Sequence, residues 1–159
     1  MKCQEQLEHY LRERQVAYQI QHHPQAFTAR QIAECEHISG KKVAKSVVVT
    51  ADNKKVLCVL SAAHRVDLDR VRAALGAQNV SLAHEDEFQN IFPGCDVGAM
   101  PPFGNLYTIP VLVERSLTTQ EMIVFPVGTH TETMSLKYAD FERLVQPTVA
   151  DFALKPTFV

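Results

Sequence analysis

The run Ala44-Lys45-Ser46-Val47-Val48-Val49-Thr50, followed by Ala51-Asp52-Asn53-Lys54-Lys55 and then Val56-Leu57-Cys58-Val59-Leu60-Ser61, decides the fold. Two β-branched segments flank a connection rich in turn formers, so 44–50 and 56–61 are predicted to pair as an antiparallel hairpin at the centre of a sheet. Strand alternation puts Lys45 on the same face as Val43, Val47 and Val49. A charge on an apolar face needs pairing, solvation through a cleft, or an anion to grip. The competing reading is a strand-entry lysine that snorkels to water. Lys41 and Lys42 precede it, and Lys54 and Lys55 fall in the expected turn; such a cluster marks either a phosphate contact or ordinary solvated loop charge.

Outward from the hairpin, Leu7, Tyr10, Leu11 and Arg14 follow the spacing of one helical face, and Val16 to Ile20 alternates as a short strand. Pro24 interrupts the chain. Thr28-Ala29-Arg30-Gln31 then has the capping-box pattern that opens a second helix. Asp67 begins a third, with Leu68, Val71, Ala74 and Leu75 on one face and Gly76 as terminator. A strand is predicted at 80–82 and a short helix at 85–91. Residues 92–105 hold Pro93, Gly94, Gly98, Pro101, Pro102 and Gly104, an irregular segment of a length that is often functional. Strands are predicted at 109–114, 122–127 and 132–136, a helix at 138–145, and a loosely packed tail after Pro147. Helices interspersed with hairpins, rather than regular βαβ crossovers, indicate a mixed α/β fold with a mostly antiparallel or barrel-like sheet surrounded by helices. With no repeat or linker, residues 1–159 are expected to form a single domain.

A chain of 159 residues can bury a self-sufficient core, so no covalent staples are expected. Cys3, Cys35, Cys58 and Cys95 lack CxxC spacing, and Cys58 lies within an apolar run, which suits a reducing cytoplasm. The polar start Lys2-Cys3-Gln4-Glu5 does not read as a secretory signal, and no apolar run approaches the roughly 20 residues that span a bilayer. A formal charge of −2 argues against a protein that wraps DNA or long nucleic acid, leaving a short local contact open.

Two further segments carry candidate chemistry. In Gly98-Ala99-Met100-Pro101-Pro102-Phe103-Gly104, glycine permits close approach to a ligand while the prolines stiffen the loop and remove two amides, so the N–H groups near Gly98 could face a carbonyl oxygen. A plain surface turn would have similar composition. In Phe125-Pro126-Val127-Gly128-Thr129-His130, a strand ends in glycine and delivers a threonine and a histidine. A lone histidine is more often structural than catalytic.

Together with His23-Pro24-Gln25-Ala26-Phe27-Thr28-Ala29, these segments resemble, in their order, the YbaK and prolyl-tRNA-synthetase-associated family of editing domains, which deacylate mischarged tRNA. The resemblance covers nearly the whole chain. It implies that Lys45 contacts the phosphates or sugar of the terminal CCA, that the backbone at Gly98–Pro101 orients the ester carbonyl, and that His130 with Gly128 and Thr129 shapes the aminoacyl pocket. Lys45, Gly98 and His130 are thereby the catalytic candidates. Tyr18, Phe27, Thr28, Ser46, Ala99, Met100, Pro101, Gly128 and Thr129 are the substrate-binding ones. It further implies no cofactor, no metal and no side-chain nucleophile, with water attack assisted by a hydroxyl of the substrate's terminal ribose. The implied partners are a mischarged tRNA, tRNA(Pro) foremost, and an aminoacyl-tRNA synthetase. Ser46 stands where alanine-preferring members commonly carry asparagine, and cysteine-preferring members generally lack the histidine at 130; a small amino acid is expected, alanine ahead of serine, threonine or cysteine.

The chemistry suits a site without a nucleophile, because an aminoacyl ester is already activated and positioning plus oxyanion stabilisation can suffice. Editing itself is needed because a synthetase pocket discriminates a methylene by only about 1–3 kcal/mol. Two other readings stand beside it. A non-catalytic module could hold an aminoacyl or nucleotide end in the same cleft. A cysteine hydrolase could pair Cys95 or Cys35 with His130, although no spacing places a thiol beside a base. Metal binding by His22 and His23 is disfavoured, since neighbours on a strand face opposite ways.

Overall fold

The structure is a computed structural model that describes residues 2–154. Its centre is the expected hairpin, β2 (Ala44–Ala51) against β3 (Lys54–Ser61), with Ala44 opposite Ser61 and Ala51 opposite Lys54. The turn is tighter than the sequence suggested. Only Asp52 and Asn53 lie outside the ladder, with φ of 47° and 70°, the left-handed pair that matches the twist of a two-residue hairpin. Lys54 and Lys55 therefore belong to the strand. The Asp52 carboxylate accepts the amides of Gln78 and Asn79, which holds its pKa below the usual value and ties the turn to β5 (Val80–Leu82).

The hairpin sits within a five-stranded sheet ordered β5-β2-β3-β6-β9, where β6 is Val111–Glu114 and β9 is Thr148–Ala150. Pairing of β3 with β6 and of β6 with β9 is parallel, so hairpins do not account for the whole sheet. A three-stranded antiparallel sheet, β1-β8-β7, packs beside it, with β1 at Gln19–His22, β7 at Met122–Pro126 and β8 at Glu132–Lys137. The short pair β4 (Arg65–Val66) and β10 (Ala153–Leu154) completes a mixed α/β architecture.

Helix α1 (Cys3–Glu13) buries Cys3, Leu7 and Leu11, the face its spacing marked. Its C-terminal Val16 amide turns back to the Leu11 carbonyl, and Val16 is drawn into the core, so the strand expected at 16–20 begins three residues later. Helix α2 (Ala29–Glu36) opens on the full capping box, Thr28 Oγ1 accepting the Gln31 amide while the Gln31 side chain accepts the Thr28 amide. Helices α3 (Leu68–Leu75), capped by Asp67, and α5 (Tyr138–Val145) follow expectation, whereas α4 spans only Glu85–Phe88.

The main core gathers Leu7, Leu11, Ala44, Val48, Phe103, Phe125 and Phe141. The opposite face of the hairpin buries Val49, Cys58 and Leu60 against Val71 and Phe152. Burial pushes the Cys58 thiol up to about 12, which leaves it inert. A third, small core of Ala26, Ile32, Ala33 and Val43 lies under α2.

Two expectations are corrected here. The segment after Pro147 is not loose within the described residues: β9 joins the sheet, Phe152 is fully buried, and the buried Glu114 carboxylate accepts the amides of Phe152 and Ala153 at 2.6 and 2.9 Å. Strands of three and two residues, separated by Asp151 and Phe152, carry too little periodicity to read. The second correction is a covalent staple, a Cys3–Cys95 disulfide joining α1 to the irregular loop across 92 residues. Cys35 and Cys58 are free. Sequence spacing cannot reveal a bridge that tertiary packing creates.

Candidate functional site

The two glycine-bearing segments meet. Gly128 donates its amide to the Ala99 carbonyl at 2.8 Å, and its own carbonyl accepts the Asp96 amide at 2.8 Å. This reciprocal clamp fixes the loop at 96–99 against the end of β7. Gly128 has φ of 98°, and a Cβ there would stand 2.8 Å from Cys3 Cβ, so only glycine lets α1 close over the clamp. Gly98 has φ of 84°, yet a Cβ at that position would meet only His130 Cε1, at 3.8 Å. An imidazole edge thus borders open space over a glycine. Among the described residues the Gly98 and Met100 amides donate to no backbone carbonyl, whereas the Ala99 amide is spent on the Asp96 carbonyl. Free amides beside a glycine can stabilise developing negative charge.

His130 also stacks on Phe27, with ring centroids 4.8 Å apart and tilted by 48°. Phe27 is 60% exposed, an unusual position for a phenylalanine that has somewhere to pack. The backbone holds it there: the Ala26 amide donates to the His130 carbonyl, and the Phe27 amide donates to Gln31 Oε1 of the capping box. Beneath them His23 is buried, its Nε2 3.8 Å from Glu36, and Glu36 accepts the Thr133 hydroxyl at 2.6 Å. This buried network was not anticipated, although the opposite orientation of His22 and His23 was.

Lys45 is half-buried on β2, on the α2 side of the hairpin. Its pKa is lowered, first by desolvation and then by the like charges of Arg65 and Arg30. Among the described residues it has no carboxylate within ion-pair distance. A desolvated cation among cations is poised to take an anion. Lys45 makes no hydrogen bond with the Gly98–His130 group. Helix α2 links the two, since Arg30 lies in its first turn and Phe27 just before it.

Other candidates fall differently. Ser46 is on the opposite face of β2 from Lys45, its hydroxyl buried without a partner among the described residues. Ala99, Met100 and Pro101 are buried, with Met100 in the main core, so their side chains are not open to a ligand. The Thr28 hydroxyl is engaged in the cap. Thr129 bonds Glu132 and faces a 360 Å³ cleft beside Cys3 and Gly94. The Tyr18 hydroxyl donates to Glu8 and accepts from Arg12 Nε, and Glu8 lines the same cleft as Gly128 and Thr129. Cys95 is held in the disulfide and is no free nucleophile. Among the described residues no three His, Cys, Asp or Glu side chains converge on a metal-sized site, and no helix is long and apolar enough to cross a membrane.

Comparison with known proteins points one way. Residues 23–144 match the family model of the aminoacyl-tRNA editing domain. A protein of Escherichia coli K12 named multifunctional Ser/Thr-tRNA deacylase ProXp-y is 29% identical over 140 residues, covering 79% of this chain and 81% of that protein. The proline--tRNA ligase of Halalkalibacterium halodurans is 32% identical over 77 residues, 48% of this chain and 13% of the ligase. Among solved structures, one described as a candidate trans-editing enzyme for prolyl tRNA synthetase superposes with a TM-score of 0.82 at 19% identity, covering 97% of this chain and 98% of that one. The hypothetical protein APE2540 gives 0.84 at 18%, covering 93% and 99%. At such identities the structures establish the fold alone.

Proposed function

Because this chain belongs to the aminoacyl-tRNA editing domain family, we propose that it is a trans-acting deacylase that hydrolyses the ester of a mischarged tRNA. The observation that carries the reading is the open space over Gly98, bordered by the His130 edge, on a loop whose Gly98 and Met100 amides have no backbone acceptor among the described residues. An ester carbonyl seated there receives donors fixed by the Gly128 clamp, and one such donor is worth about 2.7–4 kcal/mol in the transition state of acyl transfer. Phe27 and His130 wall the aminoacyl end, while Lys45 holds the phosphate or sugar of the terminal CCA. Cys95 is held in a disulfide, and attack is assigned to water, assisted by the hydroxyl of the substrate's terminal ribose. Neither cofactor nor metal takes part.

The substrate side chain is small. The name of the Escherichia coli relative moves serine and threonine ahead of alanine, with cysteine behind. The carrier is tRNA(Pro), a prolyl-tRNA synthetase is the partner whose errors are corrected, and the work is done in the cytoplasm by residues 1–159 acting as one domain. The test is a pair of mischarged tRNAs that differ at the terminal ribose. The native form is hydrolysed, and the form lacking the vicinal hydroxyl is bound but turned over far more slowly; equal rates would refute substrate assistance. Lys45→Ala removes most activity on the native form, and full activity in that variant would reject the role of Lys45.

A further inference from the structure

Ion pairing across the molecule is uneven in a way the deacylase reading does not use. Of eight arginines, six have a carboxylate within 4 Å: Arg12, Arg14, Arg70, Arg72, Arg115 and Arg143. The two without a partner among the described residues are Arg30 and Arg65, and these are the two whose charge reaches Lys45. Lys41 and Lys42, in the loop that enters β2, are exposed as well. In a chain of net charge −2 this concentrates unneutralised positive charge on one side of α2.

A groove lies at the same place. Arg30, Ala33, Glu34 and Ile38 of α2 and its C-terminal turn form one wall, Gly40 and Ala62 the other, and together they enclose about 310 Å³. The Ala62 amide donates to the Val43 carbonyl at 2.8 Å, so the wall that leads to Arg65 is fixed to the strand that carries Lys45. Among the described residues that line the groove, Glu34 is the one carboxylate and Arg30 the one cation. The floor is made of small side chains, so an extended chain can lie across it beneath the Arg30 guanidinium.

We infer that Arg30, on the α2 groove, and Arg65, two residues beyond its Ala62–Ala63 wall, form a phosphate-binding track that takes the single-stranded RNA backbone upstream of the esterified nucleotide. The track deepens the deacylase reading and rests on it for the identity of the RNA. Arg30 and Arg65 are positioning residues: they touch phosphates, not the ester, and their effect falls on substrates that carry those phosphates. Both are exposed and, among the described residues, have no carboxylate partner, so their replacement leaves the fold intact.

The experiment has two arms on the full chain. In the first, anisotropy of a 5′-labelled single-stranded RNA ending in CCA is followed from 50 to 200 mM salt. Each phosphate contact contributes about 0.7 to the slope of log affinity against log salt, so R30A/R65A flattens it by about 1.4 and wild-type binding falls about sevenfold further over that range. R30K/R65K restores the slope. In the second arm, R30A/R65A raises KM for an aminoacylated RNA but leaves hydrolysis of aminoacyl-adenosine unchanged. An unchanged slope, equal effects on both substrates, or displacement of the RNA by millimolar inorganic phosphate would overturn the track. Absence of hydrolysis by the wild type would instead defeat the deacylase reading, with the binding arm still deciding whether the arginines hold phosphate.

Discussion

Replacing Lys45 by methionine should separate what the residue costs the fold from what it gives the reaction. Lys45 is half-buried, faces two guanidinium groups and has no carboxylate beside it among the described residues, so its charged form is disfavoured in the folded state. Methionine keeps the length of the side chain, packs beside Val43 and Val47, and removes the like-charge contact. Lys45→Met is therefore at least as stable as the wild type at neutral pH. The pH dependence follows from the sign of the shift. A lysine whose folded pKa lies below 10.5 binds fewer protons folded than unfolded between those two values, so its penalty is fully present below the folded pKa. As pH rises through that pKa towards 10.5 the penalty is relieved and the gap between wild type and variant closes. Catalysis moves the other way. A charge-assisted hydrogen bond to the substrate is worth about 1.5–3 kcal/mol, so kcat/KM for deacylation drops about 10- to 150-fold. Thermal unfolding from pH 6 to 10 and deacylation kinetics on the same samples test both. A less stable variant, or one with undiminished kcat/KM, would refute the reasoning.

Gly98→Ala meets no steric block, since the new methyl lies 3.8 Å from His130, but it takes up a left-handed backbone at about 1–2 kcal/mol and intrudes on the proposed carbonyl site. Unfolding should register that modest loss while deacylation falls much further; a stable, active variant would contradict the placement of the ester. Cys3→Ser with Cys95→Ser opens a closure across 92 residues, and denaturation with and without reductant should show a loss of about 2–5 kcal/mol that reductant reproduces in the wild type. Glu114→Ala strands the amides of Phe152 and Ala153, each at about 1–3 kcal/mol, and should loosen the C-terminal strands in hydrogen exchange before the central hairpin.

The hairpin, the capped second and third helices and the amphipathic first helix were legible because local patterns specify them: β-branched runs around a turn, a capping box, an apolar stripe. The meeting of Gly98, Gly128 and His130 was legible only as a set of motifs, since the hydrogen bonds between Ala99, Gly128 and Asp96 join segments some thirty residues apart. Arg30 and Arg65 carried no signal of their own. Their significance is that among the described residues no carboxylate pairs with them within 4 Å, a property of the folded surface that no residue pattern encodes. The disulfide and the strands after Pro147 were hidden for related reasons, one made by packing and the other too short to show a period.

The most direct test of the account is release of amino acid from tRNA(Pro) charged in turn with serine, threonine, alanine, cysteine and proline. The account predicts that the protein discharges the small mischarged residues, serine and threonine fastest, and leaves prolyl-tRNA intact. Tight binding of every form with no discharge of any would contradict it and make the chain a binding module in place of an enzyme.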